Sequence, residues 1–279
     1  MSDEKPENGA PLSTRFWGVR GSVPTMGPNR QRFGGNTPCI EVNSAGDEVL
    51  IFDAGTGIRA LGRDIVSRAT RPRAIHIFFT HFHWDHIQGI PYFAPLFAKD
   101  ARMVFHSAHP PKRLREILSI TMQSPYFPLS FEQLEGSLEF REISDQPQEF
   151  AGVAVSCFPL HHPQGSVGYR ITKAGRSIVY ATDHEHGEAV IDRGLRVAAA
   201  DADVLIYDAQ YTLPEFESRR GWGHSTWLEA THVASDAGVK QLVLFHHDPE
   251  RDDVSVAAIE EDARREFKST CAAYEGLSL

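Results

Sequence analysis

The chain is poor in cysteine: Cys39, Cys157 and Cys271 are the only three in 279 residues. An odd, widely spaced set does not make a disulfide frame, so reduced, mostly buried thiols are expected. No apolar run approaches the roughly 20 residues that span a bilayer, which excludes a membrane-embedded protein. The first ten residues, from Met1 to Ala10, lack the apolar stretch of a secretory signal. They read as the start of a short disordered tail over 1–13, and the whole pattern implies a cytoplasmic location. Positive charge is also short. Twenty-eight Lys and Arg against 37 Asp and Glu leave a net charge of −9, which argues against a broad nucleic-acid-binding face. A small anionic substrate stays compatible, because bound cations invert a local field. Internal repeats, low-complexity blocks and linkers are missing as well, so 14–279 is expected to form one domain.

Histidine is what the chain concentrates. In Thr80-His81-Phe82-His83-Trp84-Asp85-His86, three imidazoles and a carboxylate fall within six residues. The segment follows the apolar run 74–79, which reads as a buried strand, so the cluster sits on the loop leaving its C-terminal end. Imidazole and carboxylate suit zinc, manganese or iron. Alternate residues His81 and His83 turn one way and leave Asp85 and His86 free to point elsewhere, so one loop can feed two neighbouring ions.

Strands are expected at 14–19, 39–43, 48–52, 74–79, 102–106, 153–158, 167–172, 177–181, 204–208 and 241–245. Helices are expected at 57–67, 111–119, 188–200, 225–237 and 254–267, with an irregular stretch at 123–131. This alternation gives an α/β or α+β class and no more.

The H-x-H-x-D-H pattern after a strand resembles the metallo-β-lactamase superfamily, most of whose members are metal-dependent hydrolases. The resemblance runs from about Arg15 to the last helix. It implies an α+β fold, the αββα sandwich, and three further ligands, each following a short aliphatic run: His162, Asp183 and His246. It assigns one divalent ion to His81, His83 and His162 and a second to Asp85, His86 and His246, with Asp183 bridging. Zinc is the first expectation, with manganese or iron as alternatives. Two ions about 3.5–4 Å apart hold a shared hydroxide and clamp the oxygens of a substrate in displacement, and metal binding lowers the pKa of water from about 15.7 toward 7. Asp85 is expected to orient that hydroxide. His161 and His247, next to two of the ligands, are expected behind them, His247 at the pocket edge or on a carboxylate.

A second motif, Gly221-Trp222-Gly223-His224-Ser225-Thr226, precedes the 225–237 helix, and Ser225 or Thr226 suits its N-cap. Ribonuclease Z and related phosphodiesterases carry a His in a similar segment. By that similarity His224 protonates the leaving oxygen, which an alkoxide leaving group requires. The long basic arm of ribonuclease Z has no counterpart between His162 and Asp183. Together with the acidic net charge, this sets tRNA aside as a partner. The segment 16–24, with Gly34-Gly35-Asn36-Thr37-Pro38-Cys39, looks like the armless phosphodiesterases of the superfamily. The expected activity is therefore hydrolysis of a small anionic phosphodiester, a cyclic nucleotide or cyclic sugar phosphate, by a metal-bound hydroxide, in a chain that the resemblance makes a homodimer. A thioester or lactone hydrolase on the same site is the alternative, and a non-catalytic metal-binding sensor the second. Arg20, Asn36, Thr37 and His247 are expected to contact substrate. Asp53 is expected to orient a metal-binding His. Tyr126, Phe127, Tyr211 and Trp222 are candidates to stack on a base, and His106 and His109 are expected in packing or surface roles.

Overall fold

A computed structural model describes residues 12–43 and 46–279. The expected tail lies outside the described residues up to residue 11, whereas Leu12 is buried and Ser13 opens the first strand. The first half contains β1 (Ser13–Gly18), β2 (Cys39–Asn43), β3 (Glu48–Phe52), α1 (Ile58–Ser67), β4 (Ala74–Phe78), the single turn α2 (Trp84–Ile87), β5 (Arg102–Ser107), α3 (Pro111–Ser119) and β6 (Ser137–Glu142). The second half continues with β7 (Gln148–Phe150), β8 (Val153–Leu160), β9 (Ser166–Lys173), β10 (Arg176–Ala181), α4 (Ala189–Ala199) and β11 (Val204–Asp208). It ends with α5 (Leu213–Ser218), α6 (Trp227–Asp236), β12 (Gln241–Phe245), α7 (Asp253–Glu266) and β13 (Thr270–Ala272).

Two sheets form, one ordered β1-β2-β3-β4-β5-β6 and the other β13-β12-β11-β10-β9-β8-β7. Both begin antiparallel and turn parallel: β1 to β3 alternate and β3 to β6 run together, while β7 to β10 alternate and β10 to β13 run together. The period of two along each strand explains the layering. Leu50, Phe52 and Phe78 of the first sheet meet Tyr169, Tyr180, Ile206 and Phe245 of the second in one core. Their neighbours Val49, Ile51, Ile75 and Ile77 face outward and pack against Leu61 and Ile65 of α1 and Leu114 and Leu118 of α3. On the far side, Val179, Leu205 and Leu244 pack against Leu195 of α4 and Val233 of α6. Central strands are thus buried on both faces, which is why they read as unbroken apolar runs. The result is the αββα sandwich. Among the described residues, no helix is long and apolar enough to cross a membrane.

Thr226 caps α6, its hydroxyl accepting from Glu229 N at 3.0 Å, a bond worth about 1 kcal/mol. Ser225 instead donates to His184 O at 2.6 Å. The strands β6, β7 and β13 and the helix α5 were not expected from the pattern. β6 is an edge strand with no buried residue, and β7 and β13 have three residues each, too few for a period to register.

The parallel strands end on one edge, and the chain turns sharply there. Asp53, Asp183 and His246 have φ of 60°, 57° and 62° just beyond β3, β10 and β12. This left-handed conformation costs a non-glycine residue roughly 1–2 kcal/mol and aims each side chain back over the sheet ends.

Candidate metal centre

Seven side chains from four loops converge on that edge. The ring nitrogens of His81, His83 and His162 lie within 4.8 Å of one another, as do single ligand atoms of Asp85, His86, Asp183 and His246. Asp183 stands between the two groups. Its Oδ1 is 3.7 Å from both His81 Nε2 and His162 Nε2. Its Oδ2 is 3.2 Å from His86 Nε2 and 3.3 Å from His246 Nε2. Asp85 Oδ2 is 3.3 Å from the same two nitrogens. Two ligand atoms held about 2.1 Å from one ion at a tetrahedral angle sit about 3.4 Å apart, so these spacings fit cations rather than direct bonds.

The opposite nitrogens explain why the rings point inward. His86 Nδ1 bonds Asp53 Oδ2 at 2.9 Å, His162 Nδ1 donates to Gly223 O at 2.7 Å and His246 Nδ1 donates to Gln210 Oε1 at 2.8 Å. His81 Nδ1 meets Thr80 Oγ1 at 3.1 Å. Each contact occupies Nδ1 and leaves Nε2 facing the centre. His81 Nε2 and His86 Nε2 are buried with no hydrogen-bond partner. A buried polar atom is rarely left so, and a cation satisfies both. The donor set therefore fits two divalent ions on chemistry as well as spacing.

Burial pulls His81 well below its ordinary pKa, with His86 adding to it, and pushes His162 down to about 4. Burial also opposes charge on His86, but Asp183, Asp85 and Asp53 overcome it and hold that ring well above its usual value. For Asp183 and Asp85 burial favours the acid form, and the surrounding histidines prevail and hold both well below the carboxylate range. The acids are thus ionised, and His81 and His162 are neutral and ready to coordinate.

His224 stands on the wall of the pocket at this cluster, with Ser22, Phe82, His83, Trp84, Asp85 and Asp183. Its Nδ1 donates to Asp208 Oδ2 at 2.8 Å. Burial alone would depress it, but Asp208 and then Asp183 raise it to about 8. Asp208 was given no role from the sequence. It accepts from Asp183 N at 3.1 Å as well, and through its Oδ1 from Ser225 N at 3.1 Å. The available signal was positional: it closes a buried strand run, as Asp53 does. Glu185 was missed too. Its carboxylate takes the amides of Gly221 and Gly223, each at 2.8 Å, and so sets the loop that carries His224 and the carbonyl on His162.

The structure engages the four expected substrate contacts elsewhere. Arg20 is fully buried, with Nε on Gly34 O at 2.8 Å and Nη1 on Asp248 O at 3.1 Å and Arg251 O at 2.7 Å. Asn36 binds Glu275 through its backbone N at 2.7 Å and its Nδ2 at 3.1 Å. Thr37 Oγ1 accepts from Thr56 N at 2.8 Å and Gln88 Nε2 at 3.2 Å. His247 Nε2 donates to Ala273 O at 2.9 Å. Arg20, Asn36 and His247 tie to the C-terminal segment and Thr37 to the loops at Thr56 and Gln88, and none of the four lines the pocket at Asp183. Tyr211 is buried edge-on beneath His224 at 5.7 Å and has no face free for a base. Trp222 and Tyr126 are exposed. His161 turns its Nδ1 to Glu185 O at 3.0 Å, away from the centre. Asp53 meets its expectation on His86 and also accepts from Tyr180 Oη at 2.8 Å.

The family model described as a beta-lactamase superfamily domain matches residues 49–247. Among curated proteins, ribonuclease Z of Archaeoglobus fulgidus is 25% identical over 95% of this chain and 96% of its own length. That of Haloarcula marismortui is 27% identical over 84% of this chain and 86% of its own. Among solved structures, the metallo-beta-lactamase fold protein YhfI from Bacillus subtilis superposes with a TM-score of 0.71 at 17% identity, covering 96% of this chain and 98% of the other. The short form of human tRNase Z gives 0.67 at 19% identity, over 96% and 98%. These relatives correct one expectation. A substrate restricted to small phosphodiesters, with tRNA set aside, does not stand beside relatives that are ribonucleases Z along most of the chain. Net charge sums over the whole surface, whereas a phosphate feels the field of the site it enters. The family match covers well over half of the chain and establishes membership: the chain belongs to the beta-lactamase superfamily.

Proposed function

We propose that the protein is a dinuclear phosphodiesterase, with His81, His83 and His162 on one divalent ion, Asp85, His86 and His246 on the other, and Asp183 across both. The observation that carries this reading is Asp183, whose two oxygens face two separate sets of ring nitrogens. Zinc fits the mixed imidazole and carboxylate set, and manganese or iron would also be held. When bound, such ions supply Lewis acidity, making water a nucleophile at neutral pH and offsetting charge on a phosphoryl group.

The chain's own residues do the rest. Asp85 accepts from Ser22 N at 2.8 Å through Oδ2, which holds its carboxylate at the pocket floor to orient the attacking water. His224 holds a proton at neutral pH and keeps it on Nε2, because Asp208 engages Nδ1. It gives that proton to the leaving oxygen, a step worth about 10²–10⁴ in rate where the leaving group is an alkoxide. Phe82 and Trp84 flank the pocket and limit water around the phosphate. Relatives named ribonuclease Z favour the phosphodiester over other bonds.

The test is a substrate panel on protein loaded with zinc or manganese. It contains methyl p-nitrophenyl phosphate, an RNA with a 3′ extension, a 2′,3′-cyclic nucleotide, a cyclic sugar phosphate, a thioester and a lactone. Turnover of phosphodiesters is expected. Turnover of only the thioester or lactone, or full metal loading with no turnover at all, contradicts the reading.

A further inference from the structure

A cleft of about 590 Å³ opens beside the metal centre and shares Phe82 and His83 with the pocket at Asp183. A phosphate held by two ions needs no such space, whereas 300–1,000 Å³ is the usual range for an organic ligand. One wall is aromatic: the half-buried Phe82 ring lies 5.6 Å from the exposed His109 ring at 30°. Ile117 of α3 continues that wall, and the guanidinium of Arg113, one turn earlier on the same helix, stands at the exposed rim. Arg113 pairs with Glu116 at 3.6 Å, a distance that leaves most of its donors to solvent. The opposite side brings Gln164, whose Oε1 bonds His83 Nε2 at 2.8 Å. It also brings Ser166, whose buried hydroxyl has no hydrogen-bond partner.

Resting on the phosphodiesterase reading, we propose that this cleft is a subsite for the nucleoside attached to the scissile phosphodiester. The base packs on the Phe82–His109 wall. Arg113 meets the phosphate on the far side of the nucleoside. A bare sugar would leave the aromatic wall uncovered and would need more polar groups than this cleft offers. Stacking on an aromatic ring tolerates any base, so the subsite selects nucleosides as a class. An RNA 3′ end and a cyclic nucleotide both carry one, and a cyclic sugar phosphate does not.

The experiment compares equilibrium binding of adenosine 5′-monophosphate and ribose 5-phosphate to the metal-loaded protein by calorimetry. Adenosine 5′-monophosphate should bind about 10-fold or more tightly, the worth of one stacked base. Phe82→Ala should erase that ratio and Phe82→Tyr should restore it. Because Phe82 lies between two proposed ligands, Ile117→Trp provides a second route, filling the cleft from α3 and also erasing the ratio. Arg113→Ala should weaken a short RNA 3′ end more than adenosine 5′-monophosphate if a polymer occupies the cleft. No loss for either marks a mononucleotide, and an equal loss for both overturns the placing of Arg113 on the far-side phosphate. Equal binding of the two monophosphates by the wild type, or a ratio that survives both Phe82→Ala and Ile117→Trp, overturns the subsite. Turnover of methyl p-nitrophenyl phosphate, measured in parallel, reports separately on the phosphodiesterase reading, since that ester carries no nucleoside.

Discussion

Two clusters of histidines lie among the described residues, and only one converges on shared carboxylates. At the sheet ends, five rings surround two carboxylates, and two Nε2 atoms are left without hydrogen-bond partners. Deeper between β4 and β5, His76 Nδ1 meets His106 Nε2 at 3.0 Å, and His76 Nε2 lies 3.2 Å from Glu48. That pair is enclosed by rings: Phe78 stacks on His106 at 4.3 Å and Phe150 abuts it edge-on at 4.8 Å. Burial pushes His106 down to about 2, with His76 and Arg141 adding to it. Both groups are buried, so burial does not distinguish them. The difference is position and convergence. The sheet-end group sits where strands end and loops turn several nitrogens toward shared acids, whereas the core pair is a linear chain inside the sheet, although its His76 Nε2 and His106 Nδ1 also lack hydrogen-bond partners.

The comparison breaks most visibly at Asp183. Replacing it with Ala should reduce phosphodiester hydrolysis to background, since both ion sites lose an oxygen at once. His224→Ala should cut turnover of an alkoxide-leaving substrate by about 10²–10⁴ with metal content kept. The loss should be much smaller for a p-nitrophenyl ester, whose leaving group needs no proton. Equal losses on both substrates would remove the proton-donor role. Asp53→Asn should cost about 10- to 100-fold in metal affinity, the usual price of losing the partner that orients a ligand ring. A chelator competition titration reads this directly.

The smallest effect separates the two groups by pH. A histidine depressed by folding stays neutral in the native state while the unfolded chain binds a proton below about pH 6.5. Stability should therefore be intact above that pH and fall as pH drops below it, by up to about 1.4 kcal/mol per pH unit for His106. His106→Leu should flatten this slope in urea titrations. It should also lower stability at pH 8 by about 1–3 kcal/mol, because His76 loses its partner, while turnover is retained. A slope unchanged in His106→Leu would assign the acid sensitivity to other groups.

Local pattern carried much of this architecture. β2, β3, β11, β12 and α3 lie at the bounds expected from apolar runs and turn residues, because their burial follows from their own side chains. The six-residue cluster from His81 to His86 was legible for the same reason: its spacing is local. The sandwich itself came through resemblance, since no periodicity states which sheet faces which. Asp208 was given no role from the sequence, because that role depends on His224, which reaches it only through the fold. Arg20, Asn36, Thr37 and His247 were misread for a related reason. Being next to a turn or a ligand in sequence says nothing about side-chain direction: Arg20 and Asn36 find the 248–251 backbone and Glu275 more than two hundred residues away, Thr37 finds Thr56 and Gln88, and His247 finds Ala273 just past β13. His109 was read as a packing or surface residue; it is exposed, and its ring lies against Phe82 in the cleft beside the centre.

Metal counting tests the central claim most directly. The protein would be saturated with zinc, freed of loose ions by gel filtration and assayed for zinc per chain by mass spectrometry, with Asp183→Ala treated identically. Two ions per chain in the wild type, and fewer than two in the variant, are expected from an acid whose two oxygens serve separate ions. A single ion in the wild type, or two retained by Asp183→Ala, would contradict the bridged centre on which the account rests.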